Sequence, residues 1–328
     1  MTALAPTLEA YFTDRLAQRQ ASPHTVASYR DTFCLLLRFT QRQLGRAPSM
    51  LDFADLDAPL VGAFLDHLEH DRGNSLATRN NRLAAIHSLF HYAALRCPEH
   101  AALIARVLAI PAKRLDSRLV CFLTPPEVDT LLAAPDQNNV LGRRDHALLL
   151  TAVQTGLRVT ELTGLNCADA ELGPGANVRC VGKGRKERRI PLTRPTARLL
   201  RNWLHERHAA PADPLFPSRV GGRLSSDAVA DLLAKHVATA ARLCPSLTSK
   251  IVSPHTLRHT CAMNLLHSGV DLATIALWLG HATTKATDVY LHADLALKEQ
   301  ALARTAPQTV GRRRYQPADA VLAFLEAL

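Results

Sequence analysis

The stretch SPHTLRHTCAMNLLHSGVDLATIALWLGHATTKATDVYLH, residues 253–292, decides how the chain reads. Ser253-Pro254 is a helix start, serine at the N-cap and proline at the first helical position. His255 and Arg258 follow at i, i+3 spacing, so both can address one ligand near that helix N-terminus, where the dipole favours an anion. Gly269 ends the helix and Asp271 caps the next. Gly280 ends that one and leaves His281 at a turn. Tyr290 lies on a further short helix. Flanked by Val289 and Leu291, a tyrosine at this position reads on its own as a packing residue. His255 and His259 have the i, i+4 spacing of a helical zinc pair, but Thr256 stands where an HExxH site carries its glutamate.

Working outward, two earlier segments carry polar groups of related chemistry. In TGLRVTEL, residues 155–162, Thr155-Gly156 closes one helix and Arg158 opens the next, with Glu161 three residues on and on the same face. A held arginine can grip a phosphate with its planar fork; an ordinary surface ion pair has the same pattern. In GKGRKERRIPL, residues 182–192, a glycine turn joins Val178, Cys180 and Val181 to Arg189-Ile190-Pro191-Leu192, which predicts a β-hairpin. Its turn carries Lys183, Arg185, Lys186, Arg188 and Arg189 against the single Glu187. Such a ribbon suits a DNA groove, where a lysine at the tip could donate a proton to a leaving oxygen. A solvated turn would look the same.

The first third predicts a bundle of four or five helices. Leu8, Tyr11, Phe12 and Leu16 recur at helical spacing; Ser22-Pro23 starts a helix with Val26, Tyr29, Phe33, Leu36 and Leu37 inward. Gly45 and Pro48 interrupt it, Leu60 to Leu68 is another helix closed near Gly73, and Ser75 to Leu95 is the last. Arg30, Arg38, Arg42, Arg79 and Arg82 are expected on exposed faces. Residues 113–122 form a basic linker between a helical domain, 1–112, and a second domain, 123–303. Residues 304–328 form a tail in which Arg312, Arg313 and Arg314 precede an amphipathic run, Val321, Leu322, Phe324, Leu325 and Leu328.

Bulk properties agree with a polyanionic partner: 328 residues carry a formal charge of +10. Seven scattered cysteines without a CxxC pair read as reduced thiols of a cytoplasmic protein rather than a disulfide framework or zinc cluster. No secretory leader is evident at the N-terminus, and no run is apolar and long enough for a membrane span.

Taken together, the segments resemble the tyrosine recombinase (phage integrase) family, similar to Xer recombinases and transposon-borne integrases. SPHTVASYRDTF and SLATRNNRLAAIHSLFHYA look like its helical core-binding domain, and residues from about 120 to 303 look like its catalytic domain. The fold this implies is mainly α: an N-terminal SAM-like helical bundle plus a mixed α/β catalytic domain with a small antiparallel β-hairpin or sheet. The resemblance implies Arg158 and Arg258 as the phosphate-gripping arginines, with Glu161 buttressing Arg158. It implies Lys183 as the hairpin lysine, with Lys186 close by as the alternative, His255 and His281 as site histidines, and Tyr290 as nucleophile, with His255 as candidate base. The implied activity is site-specific cleavage and rejoining of DNA through a 3′-phosphotyrosyl intermediate, for integration, excision or resolution, without nucleotide, metal or organic cofactor. The implied partners are double-stranded DNA with paired inverted sites, further copies of the chain in dimers and tetramers, and a candidate partner recombinase, with the tail as a subunit-docking helix. A topoisomerase of the same chemistry and a non-catalytic DNA-binding accessory stay open as alternatives; the accessory would tolerate losses at the six positions, and none is lost.

Overall fold

The computed structural model describes residues 4–115, 120–182, 186–281, 283 and 286–293, the side chains of 291–293 apart. Lys183 and the tail, 304–328, lie outside the described residues. The chain divides into two compact units, Met1–Ser117 and Arg118–Leu328.

The first unit is all helical. It opens with α1 (Leu4–Ala10), a π-helical segment (Tyr11–Arg15) and α2 (Leu16–Gln18). In α3 (Pro23–Leu44) the Ser22 hydroxyl accepts from Thr25 N–H, the cap expected from Ser-Pro, and the helix closes at Gly45. Next come α4 (Ala58–Asp66), continued by a π-helical segment His67–Asp71, and α5 (Leu76–Ala93), capped by Ser75. A helix that periodicity did not single out, α6 (Ala101–Leu108), completes the bundle by burying Ile104 and Val107. Phe33, Leu36, Phe64, Leu65, Leu83, Ile86 and Phe90 form the shared core.

Two of the arginines expected at the surface serve this packing instead. Arg79 is only 5% exposed, and its Nη1 donates to the Pro111 carbonyl. Arg82 is half-buried and donates from Nη1 to Ser28 O and Thr32 Oγ1, tying α5 to α3. Residue type misleads here because a long apolar stem can lie in a helix interface while its head finds acceptors at the edge.

The second unit places helices around a small sheet. α7 (Pro125–Ala133) and α8 (Val140–Thr155) precede α9 (Val159–Gly164), followed by β1 (Ala170–Glu171), β2 (Asn177–Val181) and β3 (Glu187–Pro191). The sheet is antiparallel in the order β1-β2-β3, so the hairpin foreseen from the glycine turn gains a two-residue third strand. Cys180 faces Arg188 and Val178 faces Ile190 across the hairpin. Then follow α10 (Arg194–Arg207), α11 (Ser226–Ala240), α12 (Pro254–His267), α13 (Leu272–Leu279) and α14 (Asp288–Ala293).

The core of this unit gathers Leu148 and Leu149 of α8, Val178 and Ile190 of the hairpin, Leu200 and Trp203 of α10, and Leu257 of α12. Buried charge is neutralised in place. Arg144 and His236 both reach Asp145, at 2.6 and 2.8 Å. Lys250 pairs with Glu127 at 2.6 Å, which holds that carboxyl down to about 2 against the opposing effect of burial. α12 packs against α8, and that contact carries the polar groups described next. Among the described residues, no helix is long and apolar enough to cross a membrane.

Candidate active site

Two glycine-closed helix ends meet at the candidate site. α8 ends at Gly156 with φ +63, and α13 ends at Gly280 with φ +65. A β-carbon at Gly156 would stand 2.7 Å from Leu279 Cδ2, and one at Gly280 would stand 2.8 Å from Arg188 Nη1. Both positions therefore need glycine for conformation and for space. The close approach leaves the carbonyl groups of these two turns free to anchor arginines.

Arg258, on the first turns of α12, is 4% exposed. Its Nη1 donates to Gly156 O at 2.6 Å and its Nη2 to Leu279 O at 2.7 Å. Arg158 is the N-cap residue of α9. Its Nη2 donates to Gly280 O at 3.0 Å and its Nη1 to Glu161 Oε1 at 2.9 Å. Glu161 also accepts the Arg158 backbone N–H at 2.8 Å, so one carboxylate fixes both ends of that residue. Burial and the neighbouring guanidinium of Arg158 lower Arg258 to about 10, which still leaves it charged at neutral pH.

Arg188 of β3 completes the array. It holds Glu161 from Nη1 and Nη2 at 3.0 and 2.7 Å and donates from Nε to Trp278 O at 3.1 Å. The resemblance did not mark it, and it stands in a run of basic residues. A signal was nevertheless present: Arg188 and Ile190 are two apart on a strand, so they share the inward face. Lys186 is exposed at the entry to β3, and its carbonyl accepts the Gly182 N–H at 2.8 Å. Lys183 lies outside the described residues.

His281 follows directly on Gly280, and its Nδ1 shares a 2.8 Å hydrogen bond with Thr287 Oγ1. Burial, then Arg258, Arg158 and Arg188, push its imidazole down to about 4, so the ring is neutral at physiological pH. His255 is exposed. Tyr290 is 1% exposed, in a cluster with Ala262, Met263, Leu266, Ile275 and Leu279. Burial raises its phenol above the usual value while Arg258 opposes the rise.

The structure thus brings Arg158, Arg258 and His281 to one turn and sets Tyr290 on the adjoining helix. It also brings in His259, whose Nδ1 lies 3.0 Å from the Tyr290 hydroxyl. His255 meets His259 edge to face, with ring centroids 6.2 Å apart. In the sequence His259 reads only as half of a zinc pair. Its spacing of three, four and seven to Ala262, Met263 and Leu266 marks the buried face of α12. Among the described residues no group of three or more His, Cys, Asp or Glu side chains is arranged to hold a metal ion.

Residues 121–296 match the phage integrase family, and residues 8–96 match the phage integrase N-terminal SAM-like domain. The chain belongs to the phage integrase family. It is 56% identical to the y4rC integrase/recombinase of Sinorhizobium fredii, over 99% of this chain and 98% of that one. It is 34% identical to the tyrosine recombinase XerC of Pelobacter propionicus, over 85% of this chain and 87% of the relative. The fold is shared with the XerH site-specific recombinase in a post-cleavage complex with its difH substrate, at TM-score 0.70 and 24% identity, over 87% of this chain and 81% of that one. This family member is accordingly a tyrosine-type site-specific recombinase, an enzyme of DNA strand breakage and rejoining, with the helical domain and sheet-bearing catalytic unit expected of that fold.

Proposed function

We propose that Arg158, Lys183, His255, Arg258, His281 and Tyr290 carry strand exchange in this enzyme, with Tyr290 as nucleophile. The observation that carries this reading is the pair of guanidiniums anchored on consecutive carbonyls beside a neutral His281. A phosphodiester resists attack because it is already an anion, and fixed cations offset the charge that gathers as the attack proceeds. The Tyr290 oxygen bonds to phosphorus, its proton passes to an imidazole for which the family pattern marks His255, and the DNA 5′-oxygen leaves. Lys183 protonates that leaving oxygen. The energy of the broken bond is kept in a 3′-phosphotyrosyl link, which the 5′-hydroxyl of a second strand then attacks, restoring the tyrosine. No step calls for a nucleotide or organic cofactor.

On this reading residues 1–112 clamp the duplex, residues 123–303 perform the chemistry, and copies of the chain pair on inverted sites as dimers and tetramers in the cytoplasm. The homologous recombinases and their DNA-bound structural relatives support double-stranded DNA as substrate. The test is covalent capture. The full chain is incubated with the genomic fragments that it binds, nicked opposite the cleavage position, and denatured. The expected result is a protein–DNA adduct with the wild type and none with Tyr290→Phe, which still shifts the same DNA. An adduct formed equally by Tyr290→Phe would overturn the assignment.

A further inference from the structure

The residue in contact with the Tyr290 hydroxyl is His259, one position after the anchored Arg258. The two rings meet edge to face, with centroids 5.6 Å apart. Tyr290 packs in a buried apolar cluster with Ala262, Met263, Leu266, Ile275 and Leu279. If Nδ1 carried a proton and donated it, the phenolic proton would need another acceptor, and among the described residues no other hydrogen bond reaches that hydroxyl. The consistent arrangement has the phenol O–H donating to Nδ1, with the ring proton on Nε2. Burial, His255 and Arg258 hold the His259 ring neutral, its value lowered to about 4, so the acceptor persists at working pH.

We propose that His259 is the positioning residue of the nucleophile: by accepting the Tyr290 hydroxyl at Nδ1 it fixes the direction of the phenol oxygen for attack. This rests on Tyr290 being the nucleophile. The geometry distinguishes it from the role assigned to His255, which is exposed and meets the His259 ring edge to face. A phenol has one free torsion at its oxygen and can swing as a ring about its side-chain bonds. A fixed acceptor removes both freedoms, and a misplacement of about 1 Å in a reacting group costs about 100-fold in rate.

The test compares three substitutions in the full chain. Asparagine puts its side-chain oxygen near the place of Nδ1, glutamine puts it near Nε2, and leucine has no acceptor. DNA affinity is measured by gel shift, and the first-order rate of adduct formation is measured at saturating nicked duplex. His259→Asn is expected to cleave within about 5-fold of wild type, and His259→Gln and His259→Leu about 100-fold more slowly, all with unchanged affinity. The Asn and Gln pair, both polar amides, keeps the comparison valid if the leucine variant fails to fold. Equal slowing in Asn and Gln would reduce His259 to a packing residue and overturn the inference. Wild-type rates in Gln, or a faster Leu variant, would overturn it as well. Absence of any adduct from the wild type would instead remove the nucleophile assignment, and the inference with it.

Discussion

Arg158 and Arg258 donate to consecutive carbonyl oxygens of one helix end, Gly280 O at 3.0 Å and Leu279 O at 2.7 Å. Their guanidiniums are thereby spaced by a single peptide unit, one of the stiffest rulers a protein has. Arg258 spends its second terminal nitrogen on Gly156 O, which ties α12 to the end of α8.

A lysine cannot reproduce that grip. Arg258→Lys keeps a positive charge but has one ammonium where the arginine spans two carbonyls from a planar fork. Adduct formation on a nicked duplex is expected to fall about 100-fold or more, while DNA binding by gel shift changes little. Near-wild-type cleavage would mean that charge alone suffices.

Glu161 holds Arg158 and Arg188 together, and its side chain is 5% exposed. Glu161→Gln leaves two guanidiniums facing each other without their shared counter-charge. Urea unfolding should show a loss of about 3 kcal/mol in the transition of the catalytic unit, the scale of breaking a buried ion pair. Cleavage should fall with it, because Arg158 loses its support.

Two glycines of positive φ separate backbone strain from crowding. Gly269 has φ +82 and nothing within 4 Å of a built β-carbon, so Gly269→Ala should cost about 1 kcal/mol. Gly280 has φ +65 and Arg188 Nη1 at 2.8 Å from that β-carbon. Gly280→Ala should therefore destabilise more and also reduce cleavage by dislodging Arg188, as read by thermal melting and adduct assay side by side.

His281 and His259 are both lowered to about 4. An unfolded histidine titrates near 6.5, so between about pH 6.5 and 4 the unfolded chain takes up more protons than the folded one. Stability from this source is complete above that window and is lost as pH falls through it. Denaturation midpoints at pH 7.5 and 5.5 should show the drop, and His281→Gln should shrink it. An unaltered pH dependence in the variant would show that the ring is not held neutral.

The parts legible in sequence are those written locally. Ser22-Pro23, Ser253-Pro254, Asp271 and Gly280 each specify a helix boundary through their own backbone and cap geometry, and each boundary stands where it was expected. Arg158 and Glu161 were legible for the same reason, since three residues of helix suffice to bring them together. Arg188 was not: its partners, Glu161 and Trp278, come from distant parts of the chain. His259 is a similar case, because the contact that distinguishes it is made with a helix thirty-one residues downstream. The burial of Arg79 is not legible because the Pro111 carbonyl that it meets lies thirty-two residues along the chain. The strand Ala170–Glu171 is too short to show any alternation.

The anchoring of Arg258 on peptide carbonyls has an electrostatic consequence. Carbonyl dipoles solvate a cation without cancelling it, whereas a carboxylate in their place would. Arg158, Arg188 and Arg258 together have a single carboxylate bonded to them, that of Glu161, so the described array keeps an excess of two positive charges. A phosphodiester arrives with one negative charge and acquires a second when a phenolate oxygen adds to phosphorus. On the proposed assignment, the charge of the array matches that of the pentacoordinate species rather than of resting DNA, which favours the transition state over the ground state.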